Sequence, residues 1–204
     1  MNIVVLYEKN DSEIMFDNKT LFQKTLLRFK YFLLEVNRYI IVCKEEDYLI
    51  VQEQIKELNF NKDYTIIIEP MGKGTLASVI TGVLSCDRIE TSLVVSCDYI
   101  FDDKEICDII ENLYNNYTDK SIYKINISLN YSYKKCEYYM FKNNLLLDYS
   151  EEYALDIYTL CLNAAMKSLG NIDNNTIALN ENDFLICPKF SLDDVIKNNI
   201  TNIF

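Results

Sequence analysis

Residues 64–85 read YTIIIEPMGKGTLASVITGVLS. YTIIIE is an apolar, β-branched run without polar alternation, the pattern of a strand buried on both faces. TLASVITGVLS predicts a helix over 75–85. Between them a Glu-Pro pair ends the strand, and two of the chain's four glycines bracket Lys73. A strand running through a short loop into a helix is half of a βαβ unit, and the unit repeats to either side.

Towards the N-terminus, IVVLY (3–7) and RYIIVC (38–43) predict strands, and KTLFQKTLLRFKYFLL (19–34) and EEDYLIVQEQIKEL (45–58) predict helices. Towards the C-terminus, TSLVVSCD (91–98) predicts a strand and DKEICDIIENLYNN (103–116) a helix. Apolar strands separated by helices imply an α/β fold, with a mainly parallel sheet covered on both faces in three Rossmann-like layers. After residue 120 the rhythm changes. The segment 121–150 predicts two or three tyrosine-rich strands as a meander or hairpin, followed by one long helix over 151–169. NDFLICPKF (182–190) reads as a late strand, and SLDDVIKNN (191–199) as a short helix with Ser191 as N-cap and Asp194 at the capping-box position.

Half of the 204 residues are apolar, enough to bury a full core within one domain. The net charge of −11 argues against nucleic acid and anionic membranes as partners. The start, MNIVVLYEKN, has no basic segment before its apolar run, and no stretch reaches membrane-spanning length, so a cytoplasmic setting is expected. Seven scattered cysteines without a C-x-x-C pair read as reduced, mostly buried thiols. The absence of histidine removes Ser-His-Asp and Cys-His nucleophile systems and H-E-x-x-H metal sites. Carboxylates, lysines, hydroxyls, backbone amides and a hard metal ion are left for any chemistry.

In an open parallel sheet, ligands bind beyond the carboxyl ends of the strands. Three loops are expected to converge there, at 8–18, 69–75 and 98–102. In the second, Gly72 and Gly74 would let backbone approach a flat or anionic ligand, Thr75 opens a helix whose amides can donate, and Lys73 supplies a cation. The same loop also reads as an ordinary strand-to-helix turn that needs glycine. In the third, Asp98 ends a buried strand and is placed to hold Mg²⁺ between phosphates, whereas Asp102 reads as a helix cap.

KTLFQKTLLRF (19–29), YIIVCKEEDYLIVQEQIKEL (39–58), IIIEPMGKGTLASVITGVL (66–84) and LVVSCDYIFDD (93–103) together resemble the sugar-phosphate nucleotidyltransferases, most of all their mannose-1-phosphate guanylyltransferase branch. The order and spacing agree over residues 16–110, about half the chain. The resemblance implies a GT-A-like mixed sheet in a single domain, 1–204. Residues 1–118 would bind nucleotide, and 119–204 would bind the acceptor or form an interface. It implies transfer of a nucleotidyl group from an NTP to a sugar 1-phosphate with Mg²⁺, and release of pyrophosphate. Carried over by position, Gly72, Lys73, Gly74 and Thr75 fall on the base-recognition loop, Glu69 and Pro70 on its entry, and Asp98 on the metal aspartate. Gly74 stands where the guanylyltransferases have Asn, and the Gly-Thr pair is similar to relatives that use uridylyl, thymidylyl or cytidylyl donors.

The family's glycine-rich basic first loop has YEKNDSEIMFDNK (7–19) as its counterpart, with no glycine and with Glu8, Asp11, Glu13 and Asp17 against Lys9 and Lys19. Aligned without a gap, Asn10 stands at the family's catalytic lysine, and a one-residue shift makes Lys9 the candidate there, with Lys73 as the second cation. Nucleotidyl transfer depends on positioning and charge neutralisation, so this loop leaves two functional readings open. One is an active transferase. The other is a non-catalytic relative that binds a nucleotide sugar or serves in regulation or assembly. An unrelated α/β domain is the third alternative. Asp193 and Asp194 are the candidates for a late metal ligand, and helix capping is the favoured reading for both. The tyrosine-rich 121–141 segment suggests a flat surface for a homodimer.

Overall fold

The computed structural model describes residues 1–97, 103–118, 120–128, 135–168, 171–173, 175–196 and 200–203. In chain order its elements are β1 (Asn2–Leu6), α1 (Lys9–Ser12), β2 (Met15–Phe16), β3 (Lys19–Thr20), α2 (Leu21–Arg28), β4 (Arg38–Lys44), α3 (Tyr48–Glu57), β5 (Tyr64–Glu69), α4 (Thr75–Leu84) and β6 (Thr91–Ser96). There follow α5 (Asp103–Asn115), β7 (Ile122–Ser128), β8 (Lys135–Lys142), α6 (Asn143–Tyr153), α7 (Leu155–Met166), β9 (Asn171–Asp173), β10 (Thr176–Ala178), α8 (Glu181–Leu185), α9 (Leu192–Ile196) and β11 (Ile200–Ile203).

A nine-stranded sheet runs β11-β7-β8-β6-β1-β4-β5-β10-β9, and β2 and β3 form a separate pair. The strands β6, β1, β4, β5 and β10 are mutually parallel, and β8 joins β6 antiparallel. The expected mixed, mainly parallel sheet is therefore present. Alternation along the strands feeds two cores. Ile3, Val5 and Tyr7 point to one face with Phe22, Val51 and Ile110, whereas Val4 points to the other with Val79, Leu146 and Cys161. Helices α2, α3 and α5 thus cover one face, and α4, α6 and α7 the other. Both faces are covered by helices, which explains why the central strands are apolar throughout.

The predicted strands at 3–7, 38–43, 64–69 and 91–98 are found within a residue or two of the expected bounds. The later elements differ. The spacing that predicts a helix over 19–34 gives α2 only to Arg28. The chain then tightens into a 3-10 turn at Phe29–Tyr31 and leaves extended at Phe32, so Phe29 and Phe32 are packed as a ring pair 4.9 Å apart rather than on a helix face. The segment 121–150 holds a β7–β8 hairpin and then a helix, because Leu146, Leu147 and Ser150 are buried at helical spacing. The long helix expected over 151–169 is broken at Ala154 (φ −146°, ψ 46°) into α6 and α7. The late strand expected at 182–190 is not a strand. Asn180 accepts a hydrogen bond from the Asp183 amide and starts α8, which buries Phe184. The short strands β9, β10 and β11 carry too few residues to show a period.

Tyr138 and Tyr139 in the hairpin are buried, so the described tyrosines of this segment belong largely to the core; Tyr131 and Tyr133 lie outside the described residues. Six cysteines have described side chains and all are free thiols, with only Cys86 partly exposed. Among the described residues no helix is long and apolar enough to cross a membrane.

Candidate functional site

After β1, the chain passes through β4 and β5 on one side and then returns to β6 on the other side of β1. That reversal opens a crevice beyond the carboxyl ends of the strands. A cleft of about 1250 Å³ lies there, walled by the ends of β1, β4, β5 and β6 and by the loops after them. The 8–18 and 69–75 loops both contribute, as expected. The 98–102 loop lies outside the described residues, and with it the metal reading of Asp98 and the capping reading of Asp102. Ser96 and Cys97, which lead into that loop, do line the cleft. Segment 189–191 forms the remaining rim.

Glu69, Pro70, Gly72, Gly74 and Thr75 all line the cleft. Glu69 is 3% exposed, and its Oε1 has no hydrogen-bond partner. Burial pushes its carboxyl up to about 8, against a counteracting Ser78 hydroxyl, with Glu8 adding to the rise and Lys44 opposing it. Gly74 has φ +86°, and a Cβ there would sit 2.2 Å from the Phe190 carbonyl oxygen. The missing side chain at 74 therefore makes room for the backbone of Phe190. The two segments are laced together: Phe190 N–H donates to the Lys73 carbonyl (3.2 Å), Leu76 N–H to the Phe190 carbonyl (3.3 Å), and Leu192 N–H to Thr75 Oγ1 (2.9 Å). One amide of the first turn of α4 is thereby already bonded. The Lys73 ammonium donates to the Leu185 carbonyl, and Lys73 is not among the lining residues.

Lys9, on the first turn of α1, is exposed and also absent from the cleft wall. Its charge acts instead on Asp47, a fully buried carboxylate raised by burial and by Glu46 and pulled back by Lys44 and Lys9. Among the described residues, the lysines that line the cleft are Lys44 and Lys189, facing the carboxyl groups of Glu8, Asp11, Glu45, Glu46 and Glu69. Lys44 is the register partner of Glu69 on the neighbouring parallel strand. Its Nζ lies 3.3 Å from Glu8 Oε2. Burial would lower the Lys44 ammonium, but the charge and hydrogen bond of Glu8, together with the charges of Asp47 and Glu46, hold the group above its ordinary value.

A smaller cavity of about 310 Å³ adjoins the cleft, sharing Leu6, Thr75, Ser96 and Ser191 with it. Glu137 and Asp193 line it, and both pair with Lys124, whose Nζ lies 2.8 Å from Glu137 and 2.5 Å from Asp193. The Tyr139 hydroxyl lies within hydrogen-bond reach of both carboxylates. Asp194 makes the expected capping box, accepting from Ser191 N–H (3.2 Å) and donating its own N–H to Ser191 Oγ (3.3 Å). Asp193 does not cap: it is the ion-pair partner of Lys124. Among the described residues no group of three or more His, Cys, Asp or Glu side chains is arranged to hold a metal ion.

Lys44, Lys189 and Phe190 were not legible as cleft residues. Lys44 carried the same signal that singles out Asp98, a polar residue at the tip of an apolar strand. Lys189 and Phe190 carried none, because their segment reads as a strand and reaches the cleft through backbone hydrogen bonds of Phe190 to Lys73 and Leu76 and the contacts of α9 with α4.

Comparison with known proteins agrees with this architecture. A mannose-1-phosphate guanylyltransferase from Salmonella montevideo is 32% identical over 97 residues, covering 47% of this chain and 20% of the relative. A mannose-1-phosphate guanylyltransferase 2 from Escherichia coli O157:H7 is 25% identical over 242 aligned positions, covering 92% of this chain and 49% of the relative. The chain thus spans a fifth to a half of the length of these curated relatives. Among solved structures, a mannose-6-phosphate isomerase from Helicobacter pylori superimposes with TM-score 0.83 at 17% identity, over 99% of this chain and 96% of that one. A protein described as mannose-1-phosphate geranyltransferase from Thermus thermophilus does so at 0.70 and 12% identity, over 99% and 72%. At such identities these two speak for the fold. Residues 8–138, well over half of the sequence, match the pattern of one family directly, and by that match the chain belongs to the nucleotidyl transferase family.

Proposed function

We propose that the chain binds an NTP in the cleft and transfers its nucleotidyl group to a sugar 1-phosphate, in the manner of a mannose-1-phosphate guanylyltransferase. The observation that carries this reading is the cleft at the sheet's reversal, walled by the Glu69–Thr75 loop, in a chain of this family. An oxygen of the sugar phosphate would attack the α-phosphorus, the bond between that phosphorus and the α–β bridging oxygen would break, and pyrophosphate would leave with that oxygen. The chain's contribution is to bind and orient. The Glu69–Thr75 loop is the proposed platform for the base, and the unpartnered Glu69 oxygen is suited to a base N–H. Asp98 is the proposed Mg²⁺ ligand, with the ion neutralising phosphate charge. The described carboxylates do not form a metal-holding group by themselves. A cytoplasmic setting goes with this reading, and the free thiols support it.

The test is pyrophosphate release across a panel of NTPs and sugar 1-phosphates with Mg²⁺ or Mn²⁺. The expected outcome is turnover with at least one pair, GTP with mannose 1-phosphate being the first to examine. A second reading, a non-catalytic relative that binds a nucleotide sugar, is favoured by one observation: among the described residues of the cleft, the carboxylates Glu8, Asp11, Glu45 and Glu46, with the buried Glu69 besides, face two lysines. Stabilisation by a nucleotide sugar, without pyrophosphate release from any pair, would select it. A ligand at a hundredfold excess over its Kd should stabilise by about 2.7 kcal/mol.

A further inference from the structure

The cleft holds a cation that neither the first loop nor the glycine loop supplies. Lys44 ends β4, the strand between β1 and β5, so its stem rises from the middle of the cleft floor. Gly72 lies against that stem: a Cβ at 72 would come within 3.2 Å of Lys44 Cε. The head of the side chain is held by Glu8, 70% exposed, from the segment that follows β1. Lys9 and Lys73 are both outside the wall. We propose that Lys44 is the residue that receives a ligand's phosphate in this cleft, and that the Glu8 carboxylate occupies its ammonium until the phosphate displaces it.

The inference rests on the nucleotide-binding reading above. An ion pair with one partner largely exposed is weak. A phosphate brings more than one negative charge and several acceptor oxygens to the same ammonium, so it attracts that ammonium more strongly than one carboxylate does. Glu8, once displaced, is free to move into solvent, since most of its side chain is already there. A glycine at 72 is then explained by the lysine it borders. The cleft also needs no basic first loop to present one positive group to a phosphate.

The experiment is calorimetric titration of inorganic pyrophosphate, then of GTP and UTP, into the full chain and its variants at physiological ionic strength. The variants are Lys44→Gln, Lys44→Arg, Glu8→Gln, the Glu8→Gln/Lys44→Gln double, and Lys62→Gln as an exposed charge control at the opposite end of the sheet. Lys44→Gln is expected to weaken pyrophosphate binding by about tenfold or more, and Lys44→Arg to retain most of it. Glu8→Gln is expected to tighten it by about threefold to tenfold, and Lys62→Gln to stay within about twofold. The signature is coupling: with Lys44 already replaced, Glu8→Gln should gain less than about twofold. Unchanged affinity in Lys44→Gln, or an equal gain from Glu8→Gln with and without Lys44, overturns the assignment while leaving nucleotide binding intact. If neither wild type nor Glu8→Gln binds pyrophosphate, GTP or UTP, the nucleotide-binding reading falls, and this inference with it.

Discussion

At Gly74 the backbone lies at φ +86° with the Phe190 carbonyl packed where a side chain would begin. Gly74→Ala should cost about 2–5 kcal/mol, combining left-handed strain with a clash against backbone that cannot swing aside. Gly72 presents the opposite case. Its neighbour is the far end of a lysine, so Gly72→Ala should change stability by less than about 1 kcal/mol while displacing Lys44. Urea denaturation of both variants separates a glycine needed by the fold from one needed by the cleft. Glu69 makes a pH prediction. Its folded value, about 8, stands above its ordinary 4.5, so the unfolded chain releases this proton first as pH rises. The Glu69 contribution is full below the ordinary value, falls by up to about 1.4 kcal/mol per pH unit between the two values, and levels off above the upper one. Glu69→Gln should flatten that slope in denaturation curves at pH 5, 7 and 9. A slope equal to wild type would show that this carboxyl is not buried neutral. From the letters alone, both glycines and Glu69 could be placed at the cleft. Which glycine serves the backbone and which the lysine depends on what passes beside them.

Between elements, the largest fully buried side chain among the described residues is Arg28, at the end of α2. Its Nε donates to Asp103 at the start of α5 (2.9 Å), and its Nη1 to the Tyr138 hydroxyl on β8 (2.6 Å). Cys107 on α5 reaches the Arg28 carbonyl as well, at 3.4 Å. One guanidinium therefore joins the helix layer to a strand that comes 110 residues later. Arg28→Met should destabilise by about 3–5 kcal/mol, because Asp103 loses its cation in a partly buried place. Tyr138→Phe should cost less, about 1–2 kcal/mol, as it removes one neutral partner. Comparable losses from the two variants would mean that the ion pair with Asp103 contributes little. The same scale shows where reading by period fails. Strands β1, β4, β5 and β6 announce themselves as unbroken apolar runs, since both faces are covered. The DFLICPKF stretch looks equally apolar, yet an Asn180 cap and the three-residue spacing of Phe184 and Cys187 make it a helical turn.

For the molecule as a whole, the later half completes what the earlier half leaves open. Strand β10 pairs with β5, β8 covers the edge of β6, and the 188–191 segment holds the start of α4. The Lys124–Asp193–Glu137 group closes the far side. A fragment ending at residue 118 should therefore show no cooperative urea transition, whereas the full chain should show one, coincident by far-UV circular dichroism and tyrosine fluorescence. A cooperative fragment would mean that the first half is a domain in its own right. The sequence by itself determined the α/β class, the central parallel strands and the loop from Glu69 to Thr75, because burial on both faces and glycine-rich turns act over a few residues and leave local patterns. Only the tertiary structure decided which charges meet. It took Lys9 and Lys73 off the cleft wall, put Lys44 and Lys189 on it, and gave Asp193 to Lys124. Such pairings join residues distant in sequence, and no local pattern records a distance set by the packing of the sheet.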